Sequence, residues 1–365
     1  MYSFEPSDEQ KMLVEAVARY ARNDLRPAAR EAEESAELPR NLIAKGWDLG
    51  LLQASIPEAY GGFGERSAVT GVLAGEELAY GDLAAAFAIG NPAQMAIPIL
   101  LAGSETQKAQ YLPGIAGAGW QPCASALVEY TYDFDPNDLR TTATQRGDEF
   151  VIQGEKAFVP FAPEARCLLI YAKLEGQTQG FILPRGIAGV GISDEREKLL
   201  GIHALPLYRM KLEGVSIPVE NRLGGTGGHD FDPILASMRV AQAAAAVGLA
   251  KAAFEYARDY AKEREAFGVK IAQKQAIAFM LAEMCTEIEA SRLMTWEAAW
   301  KLDVGKEEAC TDAYLASLGA MDMAMMVTDR AVQILGGHGY IREHPVEMWM
   351  RNGRGFSSFS GFAIV

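Results

Sequence analysis

The feature that most limits what this chain can fold into is a pair of long helical runs in its last third. Ala241–Arg264 and Gln275–Trp300 are rich in Ala, Leu, Met and Glu, all strong helix formers. In the second run Phe279, Met280, Met284, Ile288, Leu293 and Trp296 give a wide apolar face, which reads as helix–helix core. Residues 229–365 are therefore expected as a helical domain.

The first third, residues 1–120, also reads as helical. Ser7 stands three residues before Gln10, a capping box that opens a helix, and Leu13, Val17, Tyr20 and Leu25 follow near helical spacing. A punctuated loop, Ile56–Gly62, precedes a second helical stretch from about Val69 to Tyr80. Ser104–Tyr111 predicts a short helix stopped by Pro113-Gly114. Between the two helical thirds, over 121–228, the character changes. Short β-rich runs appear at Glu149–Gln153, Cys167–Ala172, Gly180–Leu183 and Leu207–Leu212, with Gly147-Asp148 as a turn signal. This segment is expected as a small antiparallel β domain, and the order α, β, α makes the fold class α+β, with helical layers flanking a sheet.

Charge and composition exclude several function classes. Lys and Arg number 34 against 48 Asp and Glu, a formal net charge of −14, the wrong sign for a nucleic-acid binder. The four cysteines and four histidines are scattered without paired spacing, so no metal site is expected and the thiols read as reduced. The start of the chain lacks the basic and apolar regions of a leader, and no uncharged run reaches the roughly 20 residues of a membrane span. A cytoplasmic protein is expected.

Six stretches in register resemble the acyl-CoA dehydrogenase family along essentially the whole chain. They are Ile56–Gly64 (IPEAYGGFG), Gly103–Pro113 (GSETQKAQYLP), Gly147–Lys156 (GDEFVIQGEK), Val215–Gly224 (VSIPVENRLG), Arg264–Gln275 (REAFGVKIAQKQ) and Gln333–Tyr340 (QILGGHGY), the last followed by His344–Glu347. The resemblance implies an N-terminal helical domain, a middle antiparallel β domain and a C-terminal four-helix-bundle domain. It implies a flavoprotein tetramer with FAD at a subunit interface. A Glu takes the α-proton of an acyl thioester, a hydride passes to the flavin, and electrons leave to an electron-transfer flavoprotein. It assigns Arg264, Phe267 and Gln275, with Gln333, Gly336 and Gly337, to a neighbouring subunit's FAD diphosphate.

Other positions depart from the family pattern. Val128-Glu129-Tyr130 stands where Thr-Glu-Pro is usual, so the hydroxyl for a flavin carbonyl is missing. Tyr132 and Phe134 replace small residues beside the ring. Pro160 replaces a Thr whose N–H faces the ring, and proline has no N–H. The two places where the family carries its catalytic Glu hold Ser360, before Gly361, and Met238, before Arg239. Neither accepts a proton near neutral pH, so no catalytic residue is assigned; Glu129, Asp133 and Asp135 are the carboxylates that could be displaced bases. Residues lent to a neighbour are present while those serving the chain's own ring and substrate are absent. The expected function is a non-catalytic subunit of a heteromeric acyl-CoA dehydrogenase, whose partner subunit carries the Glu, with an extension to bulky or steroid side-chain thioesters. Two alternatives stay open: a self-sufficient flavoenzyme acting on a CoA- or carrier-bound acyl group, and a non-redox binding or assembly protein.

Overall fold

The computed structural model describes residues 6–117 and 119–365; residues 1–5 of the expected leaderless start lie outside the described residues. The N-terminal layer holds α1 (Asp8–Tyr20), which continues through a π-helical turn into α2 (Arg26–Ser35), then α3 (Arg40–Trp47), α4 (Ala68–Gly81), α5 (Leu83–Ile89), α6 (Ala93–Ala102) and α7 (Glu105–Ala116). The predicted capping box is present: the Ser7 hydroxyl accepts from the Gln10 N–H and the Gln10 side chain accepts from the Ser7 N–H. A second box, Ser104 with Gln107, opens α7. That helix does not stop at Pro113 but runs on to Ala116. Proline this near a C-terminus forfeits one helical hydrogen bond, and Leu112 and Ala116 stay buried on the core side.

The middle layer is one seven-stranded sheet: β1 (Ala124–Ala126), β2 (Thr142–Arg146), β3 (Glu149–Pro160), β4 (Cys167–Leu174), β5 (Gln177–Pro184), β6 (Val190–Ile192) and β7 (Leu207–Pro218). Its order is β1-β4-β2-β3-β7-β6, with β5 on β4. The β2–β3 hairpin turns at Gly147-Asp148 as expected. The sheet is mixed, however, not wholly antiparallel. β1 and β2 each run parallel to β4, pairings between distant segments that no local turn signal announces.

The C-terminal layer holds α8 (Asp232–Glu263), a short hairpin of β8 (Glu265–Ala266) and β9 (Val269–Lys270), α9 (Gln275–Asp303), α10 (Ala309–Leu335) and α11 (Val346–Arg354). Alanines on nearly every side of α8 let α4, α9 and α10 approach closely, so it is the central core helix. It is also the one described helix long and apolar enough to cross a membrane by length and composition, and 89% of that apolar window is buried by the chain's own packing. The Met-rich face of α9 is core only in part. Met284 and Ile288 are buried. Phe279 is 59% exposed, and with it Leu293, Met294 and, on α10, Tyr314, Leu315 and Leu318 also face outward.

Candidate cofactor and acyl site

One half of the site forms where α8 and α10 end together. α8 stops at Arg264, whose own N–H still bonds the Tyr260 carbonyl. α10 stops at Gly336, where φ is +58°, a backbone conformation that favours glycine. Between these ends lies a cleft of about 530 Å³ lined by Tyr260, Arg264, Gly336, Gly337, His338 and Ile341, among others. A Cβ at Gly336 or Gly337 would meet nothing, so the backbone there is open to close approach. The Arg264 guanidinium has no ion pair or hydrogen bond among the described residues and is exposed. The structure thus brings together Arg264, Gly336 and Gly337. Phe267, Gln275 and Gln333 are exposed but do not line this cleft. Phe267 sits at the tip of the β8–β9 hairpin, 95% exposed and at φ +54°.

The other half centres on β1, β3 and the loop from Val128 to Asp135. Glu129 is buried and fully committed. It forms a 2.8 Å ion pair with Lys156, which has no exposed side-chain surface, and it accepts from the Arg140 and Thr141 N–H groups. Burial alone would raise its pKa; Lys156 and the hydrogen bonds outweigh that and hold it below the usual carboxylate range. Burial in turn holds Lys156 down to about 8. Glu129 is therefore neither a solvated loop carboxylate nor an available base. Asp133 is ion-paired to Arg140, and Asp135 accepts from the Asn137 N–H in a turn.

The groups that the family resemblance places beside a flavin ring are poor in donors. Val128 is buried and its carbonyl is taken by the Ala157 N–H. Pro160 ends β3, in register with Leu207. Phe158 stands at a bulge with φ +53°, its ring tilted at 56° to that of Tyr130, over which Arg209 lies at 4.0 Å. The bulk expected from two aromatic residues is only half realised: Phe134 packs on the core, whereas Tyr132 is fully exposed and fills no pocket.

The two positions that lack a carboxylate converge. A Cβ at Gly361 would lie 3.8 Å from the Met238 sulfur and 3.4 Å from Leu127, so the backbone next to Ser360 passes beside Met238 just beyond the end of β1. From there the chain runs into the helical layer and lines an apolar cavity of about 130 Å³.

The comparisons with known proteins agree with this architecture. The chain matches the acyl-CoA dehydrogenase N-terminal domain over residues 7–118, the middle domain over 124–215 and the C-terminal domain over 226–363. The chain belongs to the acyl-CoA dehydrogenase family. It is 34% identical over 367 residues to cyclohex-1-ene-1-carbonyl-CoA dehydrogenase of Geobacter metallireducens, covering 97% of this chain and 95% of that protein. It is 34% identical over 368 residues to caffeyl-CoA reductase–Etf complex subunit CarC of Acetobacterium woodii, covering 98% and 96%. Among solved structures it resembles PigA with FAD and proline, with TM-score 0.88 and 25% identity over 99% of this chain and 96% of that one.

For an acyl-CoA dehydrogenase, FAD is the expected cofactor. The Arg264 cleft fits a diphosphate: an uncommitted guanidinium beside open glycine backbone supplies charged and N–H donors. The Val128–Pro160 side fits a flavin ring poorly, offering neither the hydroxyl nor the proline-position N–H. Sequence reasoning missed three things here. His338 lines the cleft with Nδ1 3.0 Å from the Tyr260 hydroxyl; its one signal was its place inside Gly-Gly-His-Gly. Asn91, between α5 and α6, and Gln94, in the first turn of α6, are fully buried. The Asn91 side-chain oxygen holds the Cys123 N–H and the Gln94 amide holds the Phe362 carbonyl, tying the helical layer to β1 and to the C-terminal segment. Only the Asn-Pro break hinted at them.

Proposed function

We propose that this chain is a subunit of an FAD-dependent acyl-CoA dehydrogenase that completes a partner subunit's FAD site and is not itself the catalyst. The observation that carries the reading is the contrast inside one chain. Arg264 is exposed and uncommitted in a glycine-walled cleft, while Ser360 and Met238 converge where a base would stand and Pro160 and Val128 deprive the ring of partners. Bound FAD would supply hydride acceptance in the partner's site. This chain's part is to fork onto diphosphate oxygens through Arg264 and to present Gly336-Gly337 and the Phe267 hairpin at the interface. The outward apolar residues of α9 and α10 support burial against other subunits. Likeness to an Etf-complex subunit supports an electron-transfer flavoprotein as the downstream partner. The chain's own cavity has no room for a steroid group, so a bulky thioester would be held by the partner.

Likeness to the prolyl acyl carrier protein oxidase AnaB favours a second reading: a self-sufficient flavoenzyme acting on a carrier-bound acyl group. Visible spectroscopy separates the two. The subunit reading requires the purified chain to be colourless and its complex with a longer acyl-CoA dehydrogenase from the same source to be yellow. A chain that purifies alone with stoichiometric flavin and oxidises an acyl thioester establishes the second reading instead.

A further inference from the structure

The segment after Ser360 does not lie on the surface. Phe362 packs edge-on against Phe87 at 5.7 Å and stacks on Phe359 at 5.4 Å. Its carbonyl accepts from the Gln94 amide. Three residues on, the Val365 main-chain oxygen accepts from Arg66 at 2.7 Å, and the same guanidinium donates to the Ser237 hydroxyl. α4 is shaped to receive the segment: a Cβ at Gly71 would come within 2.6 Å of the Val365 side chain. Phe362, Ala363, Ile364 and Val365 thus form one wall of the 130 Å³ cavity, facing Gly75, Ala241 and Ala245 among others.

The chemistry of that cavity is hydrocarbon-like. No charged side chain lines it. Its two hydroxyls are already engaged: Ser55 donates to the Leu51 carbonyl and Thr70 accepts from the Gln10 amide. A dry apolar cavity of about 150 Å³ accommodates benzene, so this one has room for a group of about six carbon atoms. The wall begins at Phe362, one residue after Gly361, whose Cβ position lies 3.8 Å from the Met238 sulfur.

We propose that this cavity binds a compact apolar acyl group of about six carbon atoms, branched or cyclic, and that the Phe362–Val365 segment is the wall that sets the limit. The proposal rests on the acyl-CoA reading given above. It requires binding by this chain, with or without turnover.

Isothermal titration of the purified chain with cyclohexanecarbonyl-CoA and octanoyl-CoA tests it. The cyclic thioester should bind at least about tenfold more tightly, a difference of about 1.4 kcal/mol. A Cβ at Gly75 meets only Ala244, at 3.9 Å, so Gly75→Leu can fill the cavity from α4 without displacing the wall. It should weaken cyclohexanecarbonyl-CoA by at least about tenfold. Phe362→Ala should bring octanoyl-CoA to parity. Equal wild-type affinity for the two thioesters, or unchanged cyclohexanecarbonyl-CoA affinity in Gly75→Leu, overturns the proposal. Neither residue lines the Arg264 cleft, so flavin per complex is a separate readout: its absence counts against the subunit reading and leaves the cavity result standing.

Discussion

The two halves of the site differ in how their charges are used. At the ends of α8 and α10, the Arg264 guanidinium pairs with nothing among the described residues, and an aromatic residue stands almost fully exposed at positive φ on the adjoining hairpin. Exposed apolar bulk and local backbone strain are costs that persist when something outside the chain covers them. On the β1–β3 side the central charges are paired: Glu129 and Lys156 neutralise each other almost without solvent, and Arg140 and Asp133 pair at the rim. One half is open and unfinished, the other closed and self-sufficient. Decay of a former enzyme would erode both alike; the contrast is what a lending subunit requires.

The largest expected effect tests whether the closed half is structural. Glu129→Ala leaves the Lys156 ammonium buried without its partner and should cost about 3–5 kcal/mol of stability, read as a lowered denaturant midpoint. Unchanged stability with lost activity of the complex would make Glu129 a base and erase the contrast. Next is Asp82, which caps α5 by accepting from the Ala85 N–H and which burial pushes up to about 6 from 3.8. Because the folded state holds this proton more tightly, stability should fall as pH rises from about 4 to about 6 and be level above. Asp82→Asn keeps an acceptor for the cap, should flatten that slope, and should gain up to about 3 kcal/mol at pH 7. A variant no more stable at pH 7 would place an unrecognised cation near Asp82. The smallest effect concerns Ser360→Glu. With Val128 and Pro160 unchanged, the variant alone should reduce no dye with any acyl-CoA; measurable turnover would mean the closed half seats a flavin after all.

The fold was legible because its signals are local. The Ser7–Gln10 capping box, the Gly147-Asp148 turn and the Ala-rich run of α8 each specify an element by short-range chemistry. The parallel pairings of β1 and β2 with β4 were not, since they join segments far apart in sequence. α10 is not singled out by the sequence, and the apolar face of α9 reads only as helix–helix core, because periodicity reports an apolar stripe without saying which molecule covers it. In the site, residue identity announced the missing groups at Ser360, Met238 and Pro160. It could not show that the backbone beside Ser360 passes Met238, that Glu129 is locked to Lys156, that Tyr132 points into solvent, or that Phe362–Val365 wall a cavity. Each of those depends on tertiary placement.

The lending of Arg264 is tested most directly by co-purifying Arg264→Ala with the partner subunit and reading flavin absorbance per complex together with elution volume. A charged hydrogen bond to diphosphate is worth roughly 1.5–3 kcal/mol, so FAD affinity should fall about ten- to a hundred-fold while the elution volume stays that of the intact complex. Gln333→Ala, which removes only a neutral group, should fall less. Full flavin occupancy with unchanged FAD affinity in Arg264→Ala would contradict the lending of this residue, and dissociation of the complex would show that Arg264 holds the subunits together and leaves the diphosphate to other groups.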